Sequence, residues 1–334
     1  MSATQTKIDM PVIARNAAKM MPWKFLMQCL SPGRGRGKLL VFIFHRVLAR
    51  PDPLLAGEPD AITFDWMVRF ISQSFNVLPF GTAVEQLKSG DLPAGSACIT
   101  FDDGYRDNFD IALPILQRHG VQATFFIATD FLDGGRMWND DVIEAVRNIN
   151  ESSVDWADYR LGSQDLSTQT MRCQSLGAVL GKLKYFPHEE RAIFARQIAR
   201  RAGVSERSDL MMSCEEVRGL RTAGMEVGAH TRSHPILSGL TNDQAMSEIS
   251  GGKTDLEVIL DESVNVFAYP NGNPERDLSS RDVELIAAAG FSAAATTAWG
   301  VATRKTDAFL IPRFTPWDRT YHRFAARTVL ALTK

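Results

Sequence analysis

The chain has 334 residues, 45% hydrophobic and 23% charged, a globular profile that excludes a disordered, collagen-like or coiled-coil chain. Lys and Arg number 37 against 39 Asp and Glu, a formal charge of −2, so no basic excess points to nucleic acid as a partner. Four cysteines, Cys29, Cys98, Cys173 and Cys214, lack any CxxC spacing, which excludes a disulfide scaffold and argues against a thiolate zinc site.

From the N-terminus, Met1 to Pro11 is polar and carries no apolar leader run. The best apolar run, Leu39 to Phe44, falls far short of the roughly 20 residues of a membrane span. A cytoplasmic protein with reduced thiols is expected. Met20, Met21, Trp23, Phe25, Leu26, Met27 and Leu30 stand beside Lys24, Arg34, Arg36 and Lys38. That mixture suits an N-terminal extension (1–38) resting peripherally on an anionic membrane, at its inner face. A packing helix followed by a Gly/Arg linker suits it better.

The following elements repeat a simple grammar. Leu39–Phe44 is continuously apolar, as a strand buried on both faces should be. Phe64 to Ser74 has helical spacing, Asn76–Leu78 reads as a strand, and Thr82 to Ser89 as a helix ended near Gly90. Ala97–Phe101 is a strand that stops at Asp102-Asp103-Gly104. Ile111 to His119 is helical, and Ala123–Ile127 is a strand. Met225–Gly228, Val266–Tyr269 and Ser292–Thr296 are further strands, separated by helices over 243–260 and 280–289. Strands alternating with helices predict a mostly parallel sheet with helices outside it. Six to eight such units fit a distorted (β/α) barrel better than an open sheet. Only 138–217 breaks the pattern. It carries helical runs at Asp140–Arg147 and Glu189–Ala202 but no buried strand, and reads as a helical insertion in a domain spanning 39–334.

The chemistry gathers at strand ends. Adjacent side chains on an extended chain point apart, so Asp102 and Asp103 can serve one site in two ways, one holding a metal and one handling a proton. An Asx turn closing the strand is the plainer alternative. In Gly228-Ala229-His230-Thr231-Arg232-Ser233-His234-Pro235 two histidines four apart follow a short strand and can converge on one cation. Asp103, His230 and His234 together make a two-His, one-carboxylate set with open positions, the pattern of a catalytic divalent metal. Such an ion lowers the pKa of water it binds and polarises a carbonyl oxygen.

The segments TFDDGY and GAHTRSHP resemble the NodB-type polysaccharide deacetylase family. The resemblance runs on through Phe44-His45-Arg46-Val47, the segment Phe267 to Gly272, Ala289-Gly290-Phe291 with Thr296-Thr297, and Leu310-Ile311-Pro312-Arg313. These segments echo one subgroup's YHRV, FAYPYG, AGF…TT and LPR patterns. The resemblance implies a distorted (β/α) barrel and metal-dependent removal of acetyl groups from a sugar, N-acetyl ahead of O-acetyl. It makes Asp102 the general base and Asp103, His230 and His234 the ligands of a divalent metal, usually Zn2+, with Co2+, Ni2+, Mn2+ or Fe2+ as other occupants. It sets Tyr105, Tyr269, Pro270 and Asn271 on the substrate side, and a backbone N–H near Tyr105 at the oxyanion.

Two family positions differ here. The arginine that usually orients the base is replaced by Ala268, and Arg313 is the candidate substitute. The usual acid histidine is absent after Leu310. His322 lies on a predicted terminal helix, so His45 is the candidate acid or substrate-orienting group, or else a packing residue. Trp138 can stack on a sugar ring while Asp140 or Asp141 bonds hydroxyls, or Asn139 and Asp140 cap a helix. Trp317 is a further stacking candidate. Asp102 and His230 lie 128 positions apart, about twice what βα units of roughly 30 residues need, so the insertion is expected to select the substrate. The expected partner is an acetylated sugar, oligosaccharide or lipid-linked glycan of bacterial exopolysaccharide or cell-surface metabolism. A deformylase or other amide hydrolase, and a non-catalytic carbohydrate-binding homologue, are the alternatives. Oligomeric state is not readable from the chain.

Overall fold

A computed structural model describes residues 37–206 and 209–333. The proposed membrane-contacting stretch, and Cys29 within it, lie outside these residues apart from Gly37 and Lys38.

Seven parallel strands carry the fold: β1 (Lys38–Phe44), β3 (Ser96–Phe101), β4 (Thr124–Ile127), β7 (Glu226–Ala229), β8 (Val266–Ala268), β9 (Ala293–Trp299) and β11 (Ile311–Arg313), neighbours in that order. Phe314, just past β11, bridges back to Phe42 of β1, donating its N–H to Val41 at 2.7 Å. This contact makes the sheet a nearly closed, distorted (β/α) barrel, as the alternating pattern predicts. Two short strands flank it: β2 (Asn76–Val77) pairs with β3, and β10 (Ala302–Thr303) runs antiparallel to β1.

The apolar strands bury both faces. Leu40, Phe42, Phe44, Ile99, Phe101, Phe125 and Ile127 point outward beneath the helices α1 (Ala61–Ser74), α7 (Cys214–Thr222), α8 (Asn242–Leu260) and α10 (Tyr321–Thr333). Leu39, Val41, Cys98, Phe126, Val266 and three alanines of β8 and β9 fill the interior. Helix α2 (Phe80–Ser89) joins that interior cluster. It meets the starts of β4 and β7 through Phe80 N–H to Thr124 and Gly81 N–H to Glu226, and so closes the N-terminal end. Gly90, in the left-handed region at φ 94°, ends it. Helix α3 (Leu113–Arg118) is shorter than its pattern suggests, because a π-helical turn at Asn108–Ala112 precedes it. Helix α9 (Ser280–Ala288) follows β8.

Between β4 and α7 sits a separate apolar cluster around Val142, Trp156, Leu176, Leu183 and Ile198. It is built from α4 (Trp138–Asn148), a hairpin of β5 (Ser153–Trp156) and β6 (Gly162–Asp165), α5 (Gln169–Leu183) and α6 (His188–Arg201). The hairpin is largely exposed, which is why no buried strand is visible in the sequence there. Helix α4 begins at Trp138, so neither Asn139 nor Asp140 caps it. The cap position is Met137, with no side-chain bond. Val217, in α7, packs in the main core rather than in this cluster. Among the described residues no helix is long and apolar enough to cross a membrane.

Candidate active site

The C-terminal ends of β1, β3, β7, β8 and β9 converge on a cavity of about 420 Å³. His45, Asp102, Asp103, His230, His234, Asn271 and Trp138 all line it, so most of the residues singled out in the sequence share one concavity.

Asp103 Oδ1 lies 3.4 Å from Nε2 of both His230 and His234. One ligand atom from each residue falls within 4.8 Å of the others. Asp103 Oδ1 is buried yet has no hydrogen-bond partner. A lone acceptor between two imidazole nitrogens, each at a distance a single cation could bridge, is what a divalent metal centre needs. The donor chemistry also fits. Burial pushes His234 down to about 3, against the pull of Asp103, and so keeps it neutral and able to ligate. Burial raises the Asp103 carboxyl, but His230, His234 and His45 outweigh it and hold it below the usual range. His230 places Nδ1 2.7 Å from the Ala268 carbonyl, which fixes the ring with Nε2 facing the site. Among the described residues no thiol joins the set; Cys98 is buried in the interior cluster.

Backbone strain concentrates here. Of seven non-glycine residues with positive φ among those described, four are Asp103, Thr231, His234 and Asn271. The histidine loop is held by α8. Glu248 accepts from the N–H groups of Arg232 and Ser233, and Asp255 binds the Arg232 guanidinium at 2.7 Å. Gly252 of α8 packs against Thr231, where an added Cβ would lie 2.7 Å from backbone atoms.

Asp102 makes a two-pronged pair with Arg313, 2.7 Å at each oxygen, and both are buried. Arg313 also donates to the Thr296 carbonyl at 2.8 Å, so its direction is fixed. Burial raises the Asp102 carboxyl, but Arg313 and then His230 overcome it and keep it below the ordinary value. His45 follows β1. Asn108, from the π-helical turn, donates to its carbonyl, and Asp107 accepts from Val47 N–H. Burial pushes the His45 imidazole down, yet Asp103, Glu58 and Asp102 outweigh it and hold it above its usual pKa.

Four residues assigned to substrate contact do not line the cavity. Tyr105 is buried, with its hydroxyl 3.2 Å from the Asp140 carboxylate and Arg46 over its ring at 4.6 Å. Asp140 is likewise buried in that pair, as its position in the first turn of α4 dictates. Tyr269 turns into the core against Phe267, and Pro270 is buried beside it. Their side chains pack into the wall behind the cavity. Trp317 is exposed, away from the cavity lining, and His322 is on α10.

The cavity also uses residues the sequence did not flag, Lys184, Leu180 and Gly181 at the end of α5, with Asn139 and Thr297, which it reads in other roles. Lys184 lies 4.0 Å from Asp277. Nothing in the local pattern marks these, because their approach depends on how the insertion folds over the barrel. Arg191 did leave a signal. It occupies the buried stripe of α6 with Ala195, Ile198 and Ala199, where an apolar side chain is expected.

The sequence profile of the polysaccharide deacetylase family matches residues 89–175 and 195–293. No curated protein is significantly similar in sequence. Among solved structures the chain resembles IcaB from Ammonifex degensii, at TM-score 0.58 and 17% identity over 89% of this chain and 98% of that one. It also resembles the deacetylase PplD from Streptococcus pyogenes, at TM-score 0.56 and 16% identity over 83% and 92%. A polysaccharide deacetylase from Bacillus cereus gives TM-score 0.57 and 16% identity over 87% and 69%.

Proposed function

Because this chain belongs to the polysaccharide deacetylase family, we propose that it is a metal-dependent hydrolase that removes N-acetyl groups from a saccharide. The observation that carries this reading is the Asp103, His230 and His234 set sharing one cavity with the Asp102–Arg313 pair. A divalent cation, zinc by preference, held by Asp103, His230 and His234 would polarise the acetyl carbonyl and acidify water.

The chain's own groups supply the rest. Asp102, kept ionised and aimed by Arg313, accepts the proton of the attacking water. The backbone N–H of Tyr105, beside the strained Asp103 turn, serves the developing oxyanion in this reading. His45, lining the same cavity and held above its ordinary pKa by the surrounding carboxylates, protonates the leaving nitrogen. An amine needs that proton more than an alkoxide does, which favours the amide over the ester. Trp138 offers a ring face to the sugar, and Asn271 a polar contact. The process served is bacterial exopolysaccharide or cell-surface glycan metabolism, on a free or lipid-linked chain.

The test is acetate release from N-acetylated oligosaccharides by metal-loaded protein. Release that disappears in Asp102→Asn and in His230→Ala supports the reading. No release from any acetylated saccharide, with no bound metal on elemental analysis, overturns it. Formate released from an N-formyl sugar in place of acetate identifies a deformylase instead.

A further inference from the structure

A second cavity, of about 530 Å³, opens on the other side of Trp138 between α4, α6 and the histidine loop. Four arginines line it: Arg136, Arg191, Arg196 and Arg200. Two are neutralised locally. Arg136 bonds Asp141 at 2.6 Å and Arg200 bonds Glu206 at 3.0 Å. The other two have no such partner. Arg196 is exposed and makes no side-chain hydrogen bond or ion pair among the described residues.

Arg191 is the more telling. It is only 1% exposed, yet no carboxylate pairs with it. Its guanidinium donates to the carbonyls of Lys184 and His234, at 3.2 and 3.3 Å, and meets His188 Nδ1 at 3.0 Å. Its Nε is buried without a partner. Its flat face lies 4.8 Å from the Trp138 ring centre. Burial lowers its pKa to about 10, which still leaves it charged at neutral pH. A buried charge without a counter-ion is costly unless something supplies one. The unpaired acid of the lining is Asp130, whose carboxyl burial and Glu248 raise while Arg232 opposes them. Two guanidinium groups without a bonded carboxylate therefore stand against Asp130, while Asp141, already bonded to Arg136, acts on Arg196 only at longer range.

The cavity also touches the catalytic centre. Ser233, between His230 and His234, lines it, and Arg191 holds the His234 carbonyl. Trp138 lines both cavities. A saccharide long enough to pass Trp138 would reach both.

We propose that this second cavity is an anion subsite that takes a carboxylate- or phosphate-bearing sugar unit adjacent to the acetylated one. The proposal rests on the deacetylase reading for its neighbour, not for its own charge. The free planar fork of Arg196 can pair with either oxyanion through two parallel hydrogen bonds, and a neutral sugar would leave the buried charge of Arg191 behind it without a counter-charge.

The test is calorimetric binding to the full, metal-loaded chain. The probes are an oligosaccharide of alternating N-acetylglucosamine and glucuronate, its carboxyl-reduced neutral form, and an N-acetylglucosamine oligomer with a terminal phosphate. At least one acidic probe is expected to bind tenfold or more tighter than the neutral one, with an advantage that shrinks as salt rises. Arg196→Ala, at an exposed position, is expected to remove most of that advantage while keeping the melting temperature. Arg191→Gln should do the same if it folds, and Arg196→Ala carries the test if it does not. Which acidic probe wins identifies the source of the charge. Equal binding of all three probes, no binding of any, or an undiminished preference in Arg196→Ala overturns the subsite. Acetate release without acidic preference sinks the subsite alone. Acidic preference without acetate release sinks the deacetylase reading and leaves the subsite standing.

Discussion

Asp102 and Asp103 are neighbours in sequence with opposite surroundings. Asp102 faces a buried guanidinium and Asp103 faces imidazoles. Asp102→Asn should therefore lower kcat by about 10²- to 10⁴-fold, the usual worth of a positioned base, while metal content stays unchanged on elemental analysis. Undiminished turnover would remove Asp102 from the proton transfer. Asp140 permits a separate pH prediction. Burial, opposed by Arg46 and reinforced by Asp103, raises its carboxyl to about 7. With the folded pKa above the unfolded one, the folded state holds the proton more tightly, so stability declines as pH rises from about 4 to about 7. Asp140→Asn cannot titrate. Its melting temperature should fall less between pH 5 and pH 8 than that of the parent, and parallel curves would show that Asp140 is not the group responsible. At this scale the sequence picked out Asp102, Asp103, His230 and His234, which the fold brings to one cavity, because they sit in short contiguous segments. The rings of Tyr105 and Tyr269 lie off the cavity lining, because whether an aromatic ring faces the cavity or the core is set by neighbours distant in sequence.

Helix α8 shows what an element contributes. It touches no substrate cavity, yet Glu248 and Asp255 hold the loop bearing His230 and His234, and Gly252 lets the helix approach Thr231 closely. Gly→Ala inside a helix ordinarily stabilises by about 1 kcal/mol. At Gly252 the added Cβ meets the Thr231 backbone, so Gly252→Ala should instead displace the loop. Metal affinity should drop about 10- to 100-fold, the cost usually seen when support behind a ligand is lost. A competitive metal titration measures this, and unchanged affinity with a raised melting temperature would show that the contact yields easily. The long, periodic elements such as α8 were legible because burial of one stripe repeats over many residues. The π-helical turn at Asn108–Ala112 was not, since its wider turn serves the tertiary bonds of Asn108 to His45 and of Asp107 to Val47.

For the whole molecule, candidate ligands from the turn after β3 and from the loop after β7 would tie the barrel's strands together through a bound metal. Zinc at 100 times its dissociation constant should stabilise the fold by about 2.7 kcal/mol, a rise of several degrees at this chain length. Thermal scans with zinc, with chelator and with His230→Ala measure it; a melting temperature indifferent to all three would mean that these side chains hold no metal. The amino-acid sequence by itself pointed to a parallel, doubly buried sheet, through short and continuous apolar strands, whereas its closure rests on Phe314 meeting β1. It also singled out Asp103, His230 and His234 as the candidate metal set, because Asp and His types at two strand ends encode their own chemistry. Only the tertiary structure decided that Arg313 is the partner of Asp102, that the insertion brings Trp138 and Lys184 over the cavity, and that Arg191 lies buried without a counter-charge beside it. Each of those depends on groups tens to hundreds of residues apart meeting in a low-dielectric interior, and no local pattern records such a meeting.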